Sequence, residues 1–221
     1  MQSETISAPS LKISNLQIKQ QDKTLLSLNE EIQGGEVLTI MGPSGSGKST
    51  FLNWLAGMLP DAFNATGQLF LNEQEITNKA SYLRHIGLLY QDALLFPHLS
   101  VEGNIAFAMP KGDKQKRAQK INEALAQVGL SGMEKRKPDS LSGGQQARVA
   151  LLRVLLSQPK AILLDEPFSK LDTQLRQEMR QLVFEQIQKH RIPAILVTHD
   201  QSDAIAAQGK IINLKQLSSV K

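Results

Sequence analysis

The run Gly42-Pro43-Ser44-Gly45-Ser46-Gly47-Lys48-Ser49-Thr50 constrains this chain more than any other stretch. Before it stands Val37-Leu38-Thr39-Ile40-Met41, apolar and rich in strand formers. After it stands Phe51-Leu52-Asn53-Trp54-Leu55-Ala56, which reads as helix. A strand that turns into a helix through glycines gathers successive backbone N–H groups around one point, and the helix N-terminus adds its dipole there. Such a pocket suits the phosphates of a nucleoside triphosphate. Lys48 supplies a point charge for the β- and γ-phosphates, and the Ser49 hydroxyl is placed to ligate Mg²⁺. The bland alternative is a Gly/Ser turn capping a helix. The Gly-x4-Gly-Lys-Ser spacing within a strand–loop–helix frame argues against it.

Composition narrows the class. With 221 residues the chain can bury one sizeable core. It has no cysteine, which excludes disulfides, thiolate metal sites and cysteine nucleophiles, and fits a reducing compartment. No apolar stretch approaches the roughly 18 residues that span a bilayer. Residues 1–10 have neither a basic start nor an apolar core, so they read as a loose polar lead-in and not a signal peptide. The net charge of +4 is mild, with a basic cluster at Lys111, Lys114, Lys116, Arg117 and Lys120. Anionic lipid is one partner for such a cluster; a solvated helix face is the reading adopted.

Hydrophobic periodicity organises the remainder. Leu11, Ile13, Leu16 and Ile18 alternate loosely with polar residues and predict an early strand, with a second over 25–32 and a turn at Gly34-Gly35. Residues 67–71 and 86–90 read as further strands. Ala118, Ile121, Leu125 and Val128 share one helical face, and Gly129 ends that run. A second helix is signalled by Ser142, Val149, Leu152 and Leu156. A buried strand over 161–164 precedes a long amphipathic helix through Leu175, Met179, Leu182 and Ile187. Pro193 is expected to break that helix before a strand over 194–198. Alternating strands and helices imply an α/β fold with a mostly parallel sheet, and the stretch about 92–157 reads as a helical lobe inserted in that core. The expected organisation is one domain over 11–221.

Two more places carry chemistry. Asp165-Glu166 follows an apolar strand; in phosphate-loop NTPases such a strand delivers an Asp to the Mg²⁺ shell and a neighbouring carboxylate can polarise a water, so a second acid here favours hydrolysis over transfer to another acceptor. An acidic helix cap is the alternative. Leu141-Ser142-Gly143-Gly144-Gln145 opens the second helix of the lobe, with Ser142 as N-cap and two glycines that expose backbone amides to a second anion.

Taken in order, these motifs resemble the nucleotide-binding subunit of an ATP-binding-cassette (ABC) transporter from about residue 11 to 214. The set is the phosphate loop, Gln91 after a strand, the signature 141–145, Asp165, Glu166, the segment Ser169-Lys170-Leu171-Asp172, and His199. The resemblance implies a phosphate-loop NTPase core with an N-terminal antiparallel β portion. It implies ATP and Mg²⁺ as cofactors. Gly42, Pro43, Ser44, Gly45, Ser46, Gly47, Lys48, Ser49 and Thr50 would hold the nucleotide, with Ser49, Gln91 and Asp165 on the metal. Glu166 would be the general base, His199 would clasp the γ-phosphate, and Lys48 would assist. Ser142, Gly143, Gly144 and Gln145 would complete the ATP site of a second, head-to-tail copy.

The implied role is to power solute transport across the bacterial cytoplasmic membrane, peripherally at its cytoplasmic face. The expected partners are a second copy, membrane permease subunits and, indirectly, a solute-binding protein, with no nucleic acid. The context of the signature and of residues 165–169 resembles small-solute importers near the thiamine and inorganic-anion systems. Residues 94–105 resemble the surface that receives the membrane subunit, although their apolar content also suits lobe core. Lipoprotein-release or other export systems, and chromosome-maintenance ATPases, are the rival classes; the latter carry coiled-coil or zinc insertions missing between Thr50 and Leu141. Two departures stand out. The aromatic residue that stacks adenine in this family falls near Lys19 or Gln20, and Lys170 replaces a small residue. Against the resemblance, the regulatory domain that some import ATPases carry at the C-terminus is not expected here.

Overall fold

Strand β1 (Ser10–Gln20) turns Leu11, Ile13, Leu16 and Ile18 inward, a spacing that skips one residue between Ile13 and Leu16. The skip is a bulge: the register shifts there against both neighbouring strands, and Asn15 adopts φ 49°. The extra residue restores the inward face, which is why the alternation in the sequence is only loose. In the computed structural model, which describes residues 9–214, β1 pairs antiparallel with β2 (Lys23–Gln33) and with β4 (Asn64–Leu71). Together with β5 (Gln74–Glu75) these strands form a sheet in the order β2-β1-β4-β5. The lead-in expected over residues 1–10 lies, apart from its last two residues, outside the described residues, as does the segment beyond Leu214.

The second sheet is parallel throughout. Its strands are β3 (Val37–Met41), β6 (Ile86–Leu89), β7 (Ala161–Asp165), β8 (Ala194–Thr198) and β9 (Ile211–Asn213), ordered β6-β7-β8-β3-β9. Every residue of β3 and β8 is buried, which accounts for unbroken apolar runs in place of alternation. Helix α1 (Lys48–Ala56) packs Phe51, Leu52 and Leu55 into the core between the two sheets. On the other face of the parallel sheet lie α4 (Gly143–Leu156) and α5 (Thr173–Lys189), which bury Leu151, Val154, Met179, Val183 and Ile187.

A third core cluster belongs to α2 (Val101–Ala108), α3 (Lys114–Gln127) and α4. Helix α2 leaves little periodic signal in the sequence because its buried face is short, being carried by Val101, Asn104 and Ile105. Arg117 departs from the expected solvated face: its guanidinium reaches the Ala106 carbonyl at the end of α2, while Lys114, Lys116 and Lys120 stay exposed. The long helix α5 stops at Lys189, ahead of Pro193, because Arg191 turns left-handed (φ 50°) and the Ile192 N–H returns to the Ile187 carbonyl at 3.1 Å.

Candidate functional site

The phosphate loop is positioned by burial on both sides. β3 delivers the chain at Met41, α1 receives it at Lys48, and Gly47 between them sits at φ 91°, a conformation that suits glycine. Within the first turn of α1 the backbone N–H groups have no intrahelical acceptor and point back at the loop. The far end of the helix is fixed by Arg84, 5% exposed, whose guanidinium donates to the carbonyls of Trp54 (2.8 Å) and Leu55 (2.9 Å). Burial lowers the pKa of Arg84, and its hydrogen bonds to carbonyls at the negative end of α1 accommodate the charge. No motif pointed to Arg84, because the helix carbonyls it meets lie 30 and 29 residues away.

A cavity of about 360 Å³ opens over the loop, lined by Ser44, Gly45, Gly47, Lys48, Ser49 and Thr50. Glu166 closes it from the opposite side, and Gln20, Leu25 and Phe63 form the outer wall. The other residues expected at this site serve differently. Ser46 is 1% exposed and turned under the loop, while Gly42 and Pro43 accept from the Lys48 ammonium at 2.7 and 3.0 Å. Lys48 is thus held buried across the loop by two of its three donors. Lys19, one candidate position for the base-stacking aromatic, is exposed and pairs with Asn64, whereas Gln20 lines the cavity.

The acidic and imidazole groups reach the same place by sheet order. β7 and β8 are neighbours with Asp165 level with Val197, and β3 lies beside β8. Glu166, His199 and the phosphate loop therefore emerge at the carboxyl ends of adjacent parallel strands. Glu166 turns sharply at φ 44°. Its N–H donates to the Val197 carbonyl at 2.9 Å, and its carbonyl accepts from the Ser169 hydroxyl at 2.9 Å. A non-glycine residue in this region costs on the order of 1–3 kcal/mol, and those two bonds hold it there. Its carboxylate Oε2 lies 3.1 Å from His199 Nδ1. Burial, then the adjacent Glu166 carboxylate, push the Asp165 carboxyl above its ordinary value, with Lys48 opposing. Ser49 Oγ and the Asp165 carboxylate are oxygen donors beside a phosphate cradle, a set that fits a hard cation such as Mg²⁺.

Residues beyond the motifs hold His199. On one side Thr198 Oγ donates to Asp203 Oδ2 at 3.1 Å, and Asp203, 1% exposed, pairs with Arg180. On the other side Asp200 pairs with Arg176 at 2.5 Å. In the sequence these residues are two arginines four apart and two acids three apart, and nothing local to either pair joins them.

Gln91 and the signature stand apart. Gln91 is exposed and lines a separate cavity of about 120 Å³ with Gly143 and Lys170. Lys170 pairs there with Asp92 at 2.5 Å, which ties the loop after β6 to the segment after Glu166. Ser142 caps α4 in a capping box: Ser142 Oγ accepts from the Gln145 N–H (3.3 Å), and Gln145 Oε1 accepts from the Ser142 N–H (3.0 Å). Gly144 faces inward, and a Cβ there would stand 2.3 Å from Leu175 Cδ2. A side chain at Gly144 would therefore have to displace Leu175, whereas Gly143 is open.

In comparison with known proteins, the family model described as ABC transporter matches residues 25–169. The chain belongs to the ABC transporter family. As a member it is an ATPase, splitting ATP to ADP and phosphate in the service of transport. It is 45% identical over 212 residues to the uncharacterized ABC transporter ATP-binding protein YnjD of Escherichia coli, covering 94% of this chain and 96% of that protein. It is 41% identical over 192 residues to the Fe(3+) ions import ATP-binding protein FbpC of Vibrio cholerae, covering 86% of this chain and 54% of that protein. It is also 41% identical over 211 residues to the spermidine/putrescine import ATP-binding protein PotA of Marinobacter nauticus, covering 93% and 55%. This ABC ATPase thus spans about half the length of the named importer subunits. No helix among its described residues is long and apolar enough to cross a membrane.

Proposed function

We propose that this chain is the ATP-hydrolysing subunit of an importer of a small solute, working as a head-to-tail pair of copies at the cytoplasmic face of the bacterial cytoplasmic membrane. The observation that carries this reading is the distance between motifs: residues 141–145 contribute nothing to the wall of their own chain's phosphate-loop cavity. A second copy turned head to tail supplies the missing wall with the N-terminus of its α4, so that two ATP molecules lie between two chains. Such a pair closes on ATP because the γ-phosphate meets the second copy only in the closed form. Reversing a 1:99 equilibrium to 99:1 takes about 5.5 kcal/mol, within reach of charge-assisted bonds from Ser142 and helix-end amides at two sites.

Within each site, Lys48 Nζ and the amides of residues 44–50 hold the phosphates. Ser49 and Asp165 would hold Mg²⁺, which would supply charge neutralisation at the phosphate oxygens. Gln91, which lines a separate cavity in the single chain, is the third residue assigned to that metal. The Glu166 carboxylate takes the proton of the attacking water. With Nδ1 directed at Glu166, Nε2 of His199 is the nitrogen left to meet the γ-phosphate.

The import reading draws on the printed roles of the relatives and on one exposed apolar patch. Leu94 and Phe107 are 59% and 69% exposed, and Phe107 packs edge-on against Phe96 at 4.8 Å. The patch is braced from below. Asn104, fully buried, bonds both N–H and carbonyl of Phe96, and Arg153 donates to the carbonyls of Ala93 and Leu94. A rigid apolar patch at this position suits an element of a permease. The test is a pull-down of the E166Q protein with ATP from detergent-solubilised membranes, with partners identified by mass spectrometry. Recovery of a multi-span permease with a solute-binding protein supports the reading. A stable ATP-dependent homodimer without any membrane protein overturns it.

A further inference from the structure

Phe63 stands where the phosphate-loop cavity needs an apolar wall. The cavity is polar at its floor, where the loop amides and Lys48 gather, and it turns apolar toward Leu25 and Phe63. Leu25 belongs to β2 and approaches the loop closely; a Cβ on Gly47 would stand 3.7 Å from Leu25 Cβ. Phe63 comes from a different part of the chain, the turn between α1 and β4, where its N–H donates to the Pro60 carbonyl at 3.0 Å. Asn64 pairs with Lys19 in the antiparallel ladder, so the next step brings Phe63 level with Gln20, and both residues line the cavity. The ring is half-buried and packs with Leu25 against the core between the sheets. It is thus held in place on one side and presented to the cavity on the other.

A nucleoside triphosphate whose phosphates occupy the loop must direct its base along the remaining wall. A purine presents a flat π-face that gains from an aromatic ring and from apolar contact. We propose that Phe63, backed by Leu25, is the purine-stacking residue of this ATPase. This aromatic is supplied by the residue before β4, across the ladder from the end of β1, where Lys19 and Gln20 offer none. The assignment rests on the nucleotide reading of the cavity and adds the source of its base affinity.

The test compares ATP with inorganic tripolyphosphate, both with Mg²⁺, by calorimetric titration of the purified chain. F63L keeps apolar bulk against the core and removes the π-face, and F63A removes both. The expected result is an ATP affinity weakened about tenfold in F63A and less in F63L, in line with alanine truncation of base-stacking aromatics. Tripolyphosphate affinity stays within about twofold of the parent protein, and F63Y binds ATP as the parent does. In F63W the added indole is quenched by ATP and not by tripolyphosphate; the natural Trp54, 7% exposed in α1, serves as the internal reference. Unchanged ATP binding in F63A and F63L overturns the assignment. So does an equal loss of ATP and tripolyphosphate affinity, which marks Phe63 as a support of the loop alone. Failure of the parent protein itself to bind ATP overturns the nucleotide reading, a result distinct from either.

Discussion

Arg176 on α5 holds the carboxylate of Asp200 at 2.5 Å, one residue beyond His199. The pair fixes the backbone that aims the imidazole at Glu166, and neither residue lines the phosphate-loop cavity. R176A is expected to lower ATP turnover about tenfold with little change in the KM for ATP, and R176K to restore part of the loss. Steady-state kinetics with both variants check this. A proportional rise in KM would instead indicate a general loosening of the site.

Asp200 also carries a pH dependence. The Ser202 hydroxyl, followed by backbone N–H groups and Arg176, holds its carboxyl down at about 2, well below the ordinary carboxylate range. A carboxylate lowered by folding stabilises the native state above its unfolded pKa, and that stability is lost as pH falls through the folded value. The wild-type protein should therefore lose stability progressively between about pH 5 and pH 2. D200N should lose less across the same window. Urea titrations at pH 5, 4, 3 and 2 measure both slopes.

Replacing Glu166, the proposed base, separates chemistry from binding. E166Q should slow hydrolysis by about 10²- to 10⁴-fold and leave ATP affinity intact. Single-turnover kinetics and equilibrium binding on the same preparation test this. A variant that keeps most of its turnover would remove Glu166 from the role of base.

Gly144 tests whether a signature glycine acts through packing. G144A places a methyl group against Leu175 and should destabilise the fold by about 1–3 kcal/mol, as overpacking does. L175A in the same background should recover much of that. Denaturant melts of the two single variants and the double variant give the coupling. A G144A protein of parental stability would refute the packing role.

Phe107 is more exposed than Leu94 in the apolar patch, whereas Phe96 is braced by Asn104, Arg153 and Phe107 itself. F107D should therefore leave folding and basal ATPase intact and lower the amount of permease recovered with the chain at least about tenfold. Parental recovery in that variant would move the docking surface elsewhere.

Much of this site is legible in the sequence. The Gly-rich loop between an apolar strand and an amphipathic helix, Asp165-Glu166 after a buried run, and Ser142 three residues before Gln145 are local patterns, each set by neighbours along the chain. The parts that are not legible are non-local. Arg84, Arg176, Arg180 and Phe63 take their meaning from partners or walls distant in sequence. Asn104, wholly buried, has the look of an ordinary polar residue at a helix start, and only its bonds to residues 96–100 explain it.

By itself the sequence determined most of the elements and pointed to the ligand chemistry, because strand burial, helix periodicity and phosphate cradling are written within windows of a few residues. The tertiary structure decided which of those elements meet. The order β6-β7-β8-β3-β9 places Asp165, Glu166 and His199 beside Lys48, although more than a hundred residues separate them from it. It also leaves the Ser142 turn on another face and sets Phe63 across from Gln20. Parallel pairing joins strands through long crossovers, so register and order arise from side-chain packing across the whole core and from no single segment of the chain.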